Sequence, residues 1–482
     1  MTTQSTPINL AVNSYKARSG LSSSERLINA YAEPSPLTSP FKNAANGSNS
    51  IYGTAGLTVW KDTTNPFAIL EMQVMGENLY VVIQNGNVYK IDTSKAITLL
   101  GTIPVSLENV IITNNGTQVT ILTNSGTAYY CTSSASSLTQ IADGDYQLSG
   151  SIATLDGYTV ATKQSGKTFQ FSSLNETSAW AALDTATVEA NASNIVRVAM
   201  NNLELWFFKE DITEVYYDSA RSGFIFERKE GVFIEKGCAA KRSVASLDGN
   251  FFFLGNDRII YQTVGYQLAP ISTFPLSQEI EGYTTVSDAF GFCYIQGGHK
   301  FYALTFPSED KTWEYNIVTG LWHERQSINA SQTSGRWRAN CHAFFGGKNL
   351  VGDFETGVIY ELDDDVYTEN ANRIERKVIT STIFQNYGRA TVNRFALMMD
   401  TGVGIATGQG SDPRLMLRTS TDGAKTWTSE MWQPIGVRGD YMSEVAWTNC
   451  GAGRSVIFEI SMSDPVKFAI VGAYIDAELG SS

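Results

Sequence analysis

The fold is decided by Gly298-His-Lys-Phe-Tyr-Ala-Leu-Thr-Phe-Pro307 and, after a short polar gap, by Thr312-Trp-Glu-Tyr-Asn-Ile-Val-Thr-Gly-Leu-Trp-His-Glu-Arg325. Apolar side chains alternate onto both faces of the first run, which predicts a strand buried on both sides. Pro307 ends this strand because proline cannot donate to a ladder. The second run predicts another strand, and Thr319-Gly320 supplies a hairpin turn before Trp322. The stretch is therefore one unit of an all-β protein.

The same unit of an apolar run, a Gly or Asn turn and a second apolar run recurs along the chain. Copies begin at Glu77, Thr117, Gly157, Asn202, Asn250, Gly291 and Lys348. Their spacing of roughly 40 to 55 residues is typical of the four-stranded blades of a β-propeller. A series of hairpins stacked as sandwiches is the alternative. We predict a propeller of six or seven blades.

Composition indicates a folded chain without a membrane helix. The 482 residues are 43% hydrophobic and 11% aromatic, which is far from the disordered regime. No apolar run reaches the ~18 residues that a membrane helix needs, and the N-terminus lacks the basic and apolar regions of a secretory signal. The five cysteines are an odd number and are scattered, which favours reduced thiols made in a cytosol.

Three regions follow from the pattern along the chain. Residues 1–58 form an extended arm that is able to cross a neighbour or to close the propeller, residues 59–368 the propeller, and residues 369–482 a compact β-sandwich. Convincing helix patterns are absent. The arm near Tyr31 and the segment Tyr52 to Leu57 should supply or brace the closing strand, since a propeller needs a latch between its ends.

Catalytic motifs are missing from the sequence. Three histidines in the whole chain leave little room for a histidine-based site, and no zinc-protease, paired-cysteine, nucleophile-elbow or phosphate-loop pattern occurs. His299 and His323 lie between apolar residues on strands, which favours a structural, hydrogen-bonded role. We therefore expect a non-enzyme with no catalytic residue, no cofactor and no metal.

Two alternatives come from short motifs. Ser420-Thr-Asp-Gly-Ala-Lys-Thr-Trp427 is close to the Asp-box hairpin of sialidases, with its glycine one position early, which leaves open a glycan-binding or sialidase-like propeller. A secreted adhesion protein is a weaker alternative, suggested by Asn-x-Ser/Thr sequons. These sequons lie at Asn46, Asn115, Asn175, Asn191 and Asn329.

Longer stretches carry a family resemblance. They are the segment Gly298 to Arg325 quoted above; Arg26-Leu-Ile-Asn-Ala-Tyr-Ala-Glu-Pro34 with Tyr52-Gly-Thr-Ala-Gly-Leu57; Phe226-Glu-Arg228, Glu235-Lys-Gly-Cys-Ala-Ala240, Ser243-Val-Ala245, Leu254-Gly-Asn-Asp257 and Gly265-Tyr266; and Thr419 to Trp427. In this order they resemble the packaged DNA stabilisation proteins of short-tailed bacteriophages, which are tail hub or nozzle subunits. Ala55 stands where that family usually has a proline.

The resemblance implies a structural virion protein of the viral tail, assembled in the bacterial host cytoplasm. Such subunits form a homo-hexameric ring below the portal and its head-tail adaptor. The ring extends the DNA channel and, with a tail needle or plug, retains the packaged genome; tail spikes or fibres attach around it. We expect Arg373, Arg376, Arg389 and Arg394 to contribute to the oligomer or partner interface.

Charge argues against tight DNA binding. The chain has 35 Lys and Arg against 48 Asp and Glu, a net charge of −13 and a pI near 4.9. A nucleic-acid binder would carry a basic stripe. We predict an acidic or neutral channel surface through which double-stranded DNA slides, with retention coming from a plug.

Overall fold

The computed structural model describes residues 5–34, 49–104, 110–221, 223–383 and 388–479. Five separate four-stranded sheets, and two further four-stranded units within larger sheets, make seven blades. The innermost strand of every blade lines one central channel, which is the arrangement of a β-propeller. The predicted fold class is confirmed: the protein is nearly all β, with a propeller and a C-terminal sandwich.

Blades 1 to 6 follow the chain, each as an antiparallel meander. Blade 1 holds Ile69–Met75, Asn78–Ile83, Asn87–Asp92 and Ile97–Thr102; blade 2 holds Ile111–Asn114, Gln118–Leu122, Ala128–Thr132 and Thr139–Gln140; blade 3 holds Ser149–Leu155, Tyr158–Lys163, Thr168–Ser173 and Glu176–Thr187. Blade 4 holds Ile195–Asn201, Glu204–Lys209, Thr213–Asp218 and Phe226–Arg228; blade 5 holds Ala245–Leu247, Asn250–Leu254, Ile260–Val264 and Gln267–Pro270; blade 6 holds Phe290–Gln296, His299–Phe306, Lys311–Asn316 and Leu321–Ile328.

Blade 7 is closed by a strand from the N-terminal region. Ala339–Phe345, Lys348–Asp353 and Val358–Asp363 are joined by the closing strand Gly56–Asp62, which pairs antiparallel with Val358–Asp363. The prediction that the N-terminal region supplies the closing strand is therefore confirmed, but of the segment Tyr52 to Leu57 only Gly56 and Leu57 lie in that strand, and Tyr31 and Tyr52 pair in a sheet of the sandwich. Residue 58, where the sequence divides arm from propeller, lies inside this strand; the division itself stays a prediction, as does the one at 368.

The hairpin that decides the fold forms as predicted. The strand His299–Phe306 is buried at nearly every position, and Pro307–Glu309 forms a short 3-10 turn directly after it. Lys311–Asn316 and Leu321–Ile328 follow and pair with each other, so the turn falls at Ile317 to Gly320. Gly320 has a φ of 73°, the left-handed conformation that glycine adopts without steric cost.

The expected absence of helices is wrong at one place. Phe274–Glu281 forms an α-helix capped by Thr273, whose hydroxyl accepts a hydrogen bond from the amide of Leu276. A threonine cap followed by a proline in the first turn is a recognised helix start. The helix buries only Leu276 and Ile280, too short an apolar stripe to stand out from the surrounding strands.

The C-terminal sandwich consists of two sheets, and described strands of the arm belong to both. One sheet holds Thr6–Ile8, Ala30–Pro34, Asn49–Gly53, Ala390–Met399, Val445–Thr448, Ala452–Gly453 and Ala469–Leu479; the other holds Tyr15–Lys16, Ser24–Ile28, Arg376–Ile379, Arg414–Ser420, Met431–Pro434 and Ile457–Met462. Short pairs at Ser334–Arg336, Thr368–Glu369 and Asn372–Arg373 complete the strands. The buried side chains of Leu10, Leu27 and Ile51 lie in the sandwich core with Phe395 and Phe458. The described part of the arm thus packs within its own chain.

The five cysteines are unpaired; Cys293 is half-buried and the other four are buried. Burial raises the pKa of the thiols of Cys131, Cys238 and Cys450 to about 11, so these groups stay protonated at neutral pH.

Candidate functional site at the junction of propeller and sandwich

One strand of the arm joins the propeller to the sandwich. This joining strand, Ser24–Ile28, pairs in parallel with blade 6 at Glu324 and antiparallel with the sandwich strand Arg376–Ile379. Blade 6 and one sheet of the sandwich therefore form a continuous 11-stranded sheet. The hydroxyl of Ser14 accepts a hydrogen bond from the amide of Leu27 at 2.9 Å, which ties the preceding loop to the same strand.

Two side chains on either side of Ile28 fix this junction. The guanidinium of Arg26 donates two hydrogen bonds to the carboxylate of Glu324, at 2.8 and 2.6 Å. The amide of Asn29 donates to the carbonyl oxygens of Gln326 and Glu375, at 2.9 and 3.0 Å, and so contacts propeller and sandwich at once. Asn29 adopts a φ of 51°, a left-handed conformation that asparagine tolerates better than most residues.

Tyr31 packs against the face of blade 6. Its ring lies edge-on to the ring of His299, with centroids 5.0 Å apart, and to that of Phe301 at 5.6 Å. His299 shares a hydrogen bond of 3.0 Å with the amide of Asn316, and the Nε2 atom of His323 lies 2.6 Å from the carboxylate of Glu314. Both histidines are thus hydrogen-bonded within the fold, as predicted, and their structural role stays a prediction.

A buried cluster of charges lies beneath Tyr31. The carboxylate of Glu314 accepts hydrogen bonds from the hydroxyl of Tyr294 at 2.5 Å and from the guanidinium of Arg325 at 3.4 Å. Burial by itself would raise the pKa of Glu314, but the nearby charges of Arg325 and His323 outweigh it and lower that pKa. Glu314 and Arg325 are therefore both charged at neutral pH.

The connector between the two domains, residues 364–375, contacts the same cluster through Glu369. The guanidinium of Arg325 lies 3.9 Å above the ring of Trp337, and the indole of Trp337 donates to Glu369 at 3.2 Å. Burial raises the pKa of Glu369, an effect that the charge of Arg325 partly offsets. His323, Glu324 and Arg325, which end the stretch that decides the fold, thus hold the arm, blade 6 and the connector together. Their charges stabilise the junction.

Glu25 makes the junction sensitive to pH. Burial raises the pKa of this carboxyl to about 7, and a hydrogen bond with Ser381 offsets only part of that increase. Between pH ~4.5 and 7 the folded chain holds a proton that the unfolded chain releases, so stability should fall as pH rises through this window. Glu25→Gln removes the charge, and we expect it to raise the melting temperature by about 2 °C at pH 8 and by less at pH 5. Scanning calorimetry at both values, with the exposed Glu77→Gln as a control, checks this; an equal shift at both values contradicts it.

The four arginines expected at an interface have different environments. Arg373 and Arg389 are exposed. Arg394 is half-buried and forms ion pairs with Glu444 and, at 3.7 Å, with Asp476. These three lie on the sandwich side of the chain, and their role at a subunit interface stays a prediction.

Arg376 is not on the surface of this subunit. Its side chain is fully buried, and among the described residues no hydrogen-bond partner reaches any nitrogen of its guanidinium. A Cβ atom at Gly53 would lie 2.5 Å from its Nε atom, so this glycine leaves room for the arginine. Burial lowers the pKa of Arg376 to about 10, which leaves it charged at neutral pH.

Sequence reasoning missed exposed apolar residues on the sandwich. They lie in or just after the strand Met431–Pro434 and are Trp432, Val437, Tyr441 and Met442, with exposed fractions of 55%, 51%, 73% and 92%. The signal was a run of large apolar residues interrupted by glycines, in a segment too irregular for a strand. Such residues are typical of surfaces that meet a partner.

Asp422, the acid of the Asp-box-like motif, is used within its own turn. Its Oδ1 atom accepts hydrogen bonds from the amides of Lys425 and Thr426, both at 3.0 Å, and Oδ2 accepts from the hydroxyl of Thr426 at 2.6 Å. The hydroxyl of Ser420 donates to Oδ1 at 2.8 Å. This arrangement defines a structural turn.

The hydrogen bonds that Thr426 donates, from its hydroxyl and its amide, hold the pKa of Asp422 below its usual value. Stability from this carboxylate is therefore present above the unfolded pKa of about 4 and lost as pH falls further. We expect Asp422→Asn to lower the melting temperature by about 1–2 °C at pH 7, a difference that shrinks below pH 4. A series of melting curves across pH tests this, and a constant difference contradicts it.

Within the described ranges, no group of three or more His, Cys, Asp or Glu side chains is arranged to hold a metal ion. A search of the same residues finds no helix with the length and apolar character needed to cross a membrane.

Comparison with known proteins agrees with the two-part architecture. A family model described as bacteriophage P22 Gp10, beta-propeller, matches residues 32–367, and one described as bacteriophage P22 Gp10, beta-sandwich, matches residues 375–478. No curated protein matches the chain.

Similar solved structures include the WD40 beta propeller domain of Doa1, at 10% identity and a TM-score of 0.40, covering 64% of this chain and 96% of that one. BamB from Moraxella catarrhalis is 12% identical with a TM-score of 0.38, covering 70% of this chain and 97% of that one. The designed Ika8 protein is 10% identical with a TM-score of 0.39, covering 64% and 100%.

The fold defines a two-domain β protein, a propeller joined to a sandwich through a strand of the arm. The chain belongs to the bacteriophage P22 Gp10 family, which is a family of phage structural tail proteins, the packaged DNA stabilisation family. The resemblance drawn from the sequence is confirmed.

Proposed function

We propose that this protein is a tail hub, or nozzle, subunit. Six-fold rings of it lie below the portal and its head-tail adaptor, extend the DNA channel and help to retain the packaged genome. Family membership over residues 32–367 and 375–478 carries this proposal. The ring assembles from subunits made in the host cytoplasm, and it also contacts the tail needle or plug and the tail spikes or fibres.

The joined architecture suits a subunit of a closed ring. Because the joining strand Ser24–Ile28 pairs with both blade 6 and the sandwich, propeller and sandwich share one sheet. A closed ring needs two different surfaces of each subunit to meet. A subunit whose two domains keep a fixed angle presents such surfaces in a constant geometry.

The subunit works without catalysis. Asp422 is engaged by Ser420, Lys425 and Thr426 within its turn, and Glu314 is engaged by Tyr294, His323 and Arg325. Both carboxylates therefore have structural partners, and glycan cleavage is not favoured by either.

Heads that have packaged DNA in the absence of this protein provide the test. We expect them to lose their DNA to added nuclease and to become resistant when the purified protein is supplied. Electron microscopy of the restored particles should show a six-fold ring below the adaptor. Nuclease-resistant heads without the protein, or density for it away from the tail axis, would contradict the proposal.

The exposed arginines of the sandwich test the interface. We expect the double change Arg373→Glu and Arg389→Glu to block ring formation on heads, because it reverses two charges at once. Arg221→Glu, on the opposite domain in blade 4, is the matched control and should leave assembly intact. Nuclease protection with the double variant at wild-type level would remove these arginines from the interface.

DNA passes the ring without tight binding. A chain with a net charge of −13 lacks the excess of cations that would neutralise a row of phosphates. We expect no gel shift of a duplex by micromolar protein in about 0.1 M salt. Strong binding that weakens steeply with added salt would show that a basic surface faces the DNA.

A further inference from the structure

The central channel of the propeller has a volume of about 560 Å³ and is lined by residues of all seven innermost strands. It contains charged groups that the junction does not use. At one position along the channel axis, which we call this level of the channel, three charged residues are close enough to interact. They are Glu71 of blade 1, Arg197 of blade 4 and Arg242 before blade 5. In this cluster two arginines share one carboxylate, although the overall charge of the protein is negative.

Arg242 is held in place by protein groups. Its guanidinium donates to the carbonyl oxygen of Leu70 at 3.0 Å and to the carboxylate of Glu71 at 3.3 Å. It also lies 5.1 Å from the centre of the Phe290 ring. Glu71 is thus already engaged by one of the two arginines.

Arg197 is less fully engaged. Its Nε atom is enclosed and makes no hydrogen bond among the described residues, although the side chain as a whole is half-buried. No described carboxylate lies within ion-pair distance of it. Lys241 adds a further positive charge beside it, with its ammonium on the carbonyl oxygen of Gly150 at 2.7 Å. Arg197 and Lys241 thus place two positive charges near Glu71, whose carboxylate is already bonded to Arg242.

A guanidinium is held unfavourably when its Nε atom is enclosed without an acceptor and its one nearby carboxylate, here Glu71, is already bonded to another arginine. Burial lowers the pKa of Arg197 to about 10, which still leaves it charged at neutral pH. It therefore cannot relieve the cost by losing its proton. A mobile anion in the channel would supply the missing charge and the missing acceptor together.

We propose that this level of the propeller channel is a binding site for a small oxyanion of the phosphate class, held by Arg197 with Arg242 beside it. The planar fork of a guanidinium matches two oxygens of one oxyanion, whereas chloride offers no paired acceptors. The channel volume of about 560 Å³ leaves ample room for such an ion and its water. This proposal stands apart from the tail role, since it concerns the channel of one propeller.

Calorimetric titration of the full-length protein with inorganic phosphate, in a phosphate-free chloride buffer, tests the site. We expect one site per chain with millimolar or tighter affinity, and a rise in melting temperature of about 2 °C at saturation. Arg197→Met should weaken binding at least about tenfold, and Arg197→Lys should weaken it less, because lysine keeps the charge without the fork.

The variants also report on folding. Without phosphate, Arg197→Met should melt no lower than the wild type, because it removes an uncompensated charge. Arg221→Met, which removes an exposed arginine of blade 4, is the matched control and should bind phosphate like the wild type. The proposal is overturned if the wild type shows no heat and no thermal shift at about 10 mM phosphate. It is equally overturned if Arg197→Met binds as well as the control.

Discussion

Replacing Glu314 with alanine is expected to lower the free energy of unfolding by about 3–5 kcal/mol, because it leaves a buried arginine without its nearest carboxylate. Glu314 is fully buried, and Arg325 beside it is 1% exposed. The change also removes the acceptor of the Tyr294 hydroxyl and of His323. Urea unfolding followed by tryptophan fluorescence measures the loss, since Trp337 packs on Arg325.

An exposed ion pair provides the control for this effect. Glu227 pairs with Arg221 at 2.6 Å on blade 4, where solvent reaches both side chains. Glu227→Ala should change the unfolding midpoint little, because exposed pairs contribute weakly. If Glu314→Ala costs no more than Glu227→Ala, the buried cluster does not stabilise the junction.

The blades could be predicted because their signals are local. In His299–Phe306 and Leu321–Ile328, long apolar alternation is bounded by a proline and a glycine turn, and strands of this kind pair with their neighbours in sequence. The helix Phe274–Glu281 was missed because its apolar stripe is two residues long. Its threonine cap and following proline were visible, and they would have marked the start.

The pairing of the arm with the sandwich could not be predicted, because its partners are distant in sequence. Leu27 pairs with Val378, and Ile51 pairs with Ile470. No periodicity within the arm identifies such partners, since any apolar strand can complete a sheet of the right register. The arm looked extended in sequence for the same reason that it is extended in the fold: it consists of short strands.

The burial of Arg376 could have been predicted from the alternation of residues along its strand, although the number of basic residues nearby suggested an exposed position. Ile374, Arg376 and Val378 alternate along the chain and are all buried, while Glu375 and Lys377 between them are half-buried. Strand alternation places Arg376 on the inner face. A count of basic residues near the connector gives the opposite expectation, since arginine is rarely buried without a partner.

Leu27→Ala is expected to lower the free energy of unfolding by about 2–5 kcal/mol, the cost of a cavity in a well-packed core. Leu27 is fully buried in the sandwich core, next to Val378 in the pairing strand. The same strand pairs with blade 6 at Glu324. Loosening this strand should therefore destabilise both sides of the junction.

Hydrogen exchange should rise in the sandwich strand Arg376–Ile379 and also in the blade 6 strand Leu321–Ile328. Leu183→Ala, at a side chain that is 90% exposed on blade 3, should change neither. Faster exchange confined to the sandwich would show that the two domains share a sheet but unfold independently. Faster exchange on both sides would show that the joining strand couples the stability of the propeller to that of the sandwich.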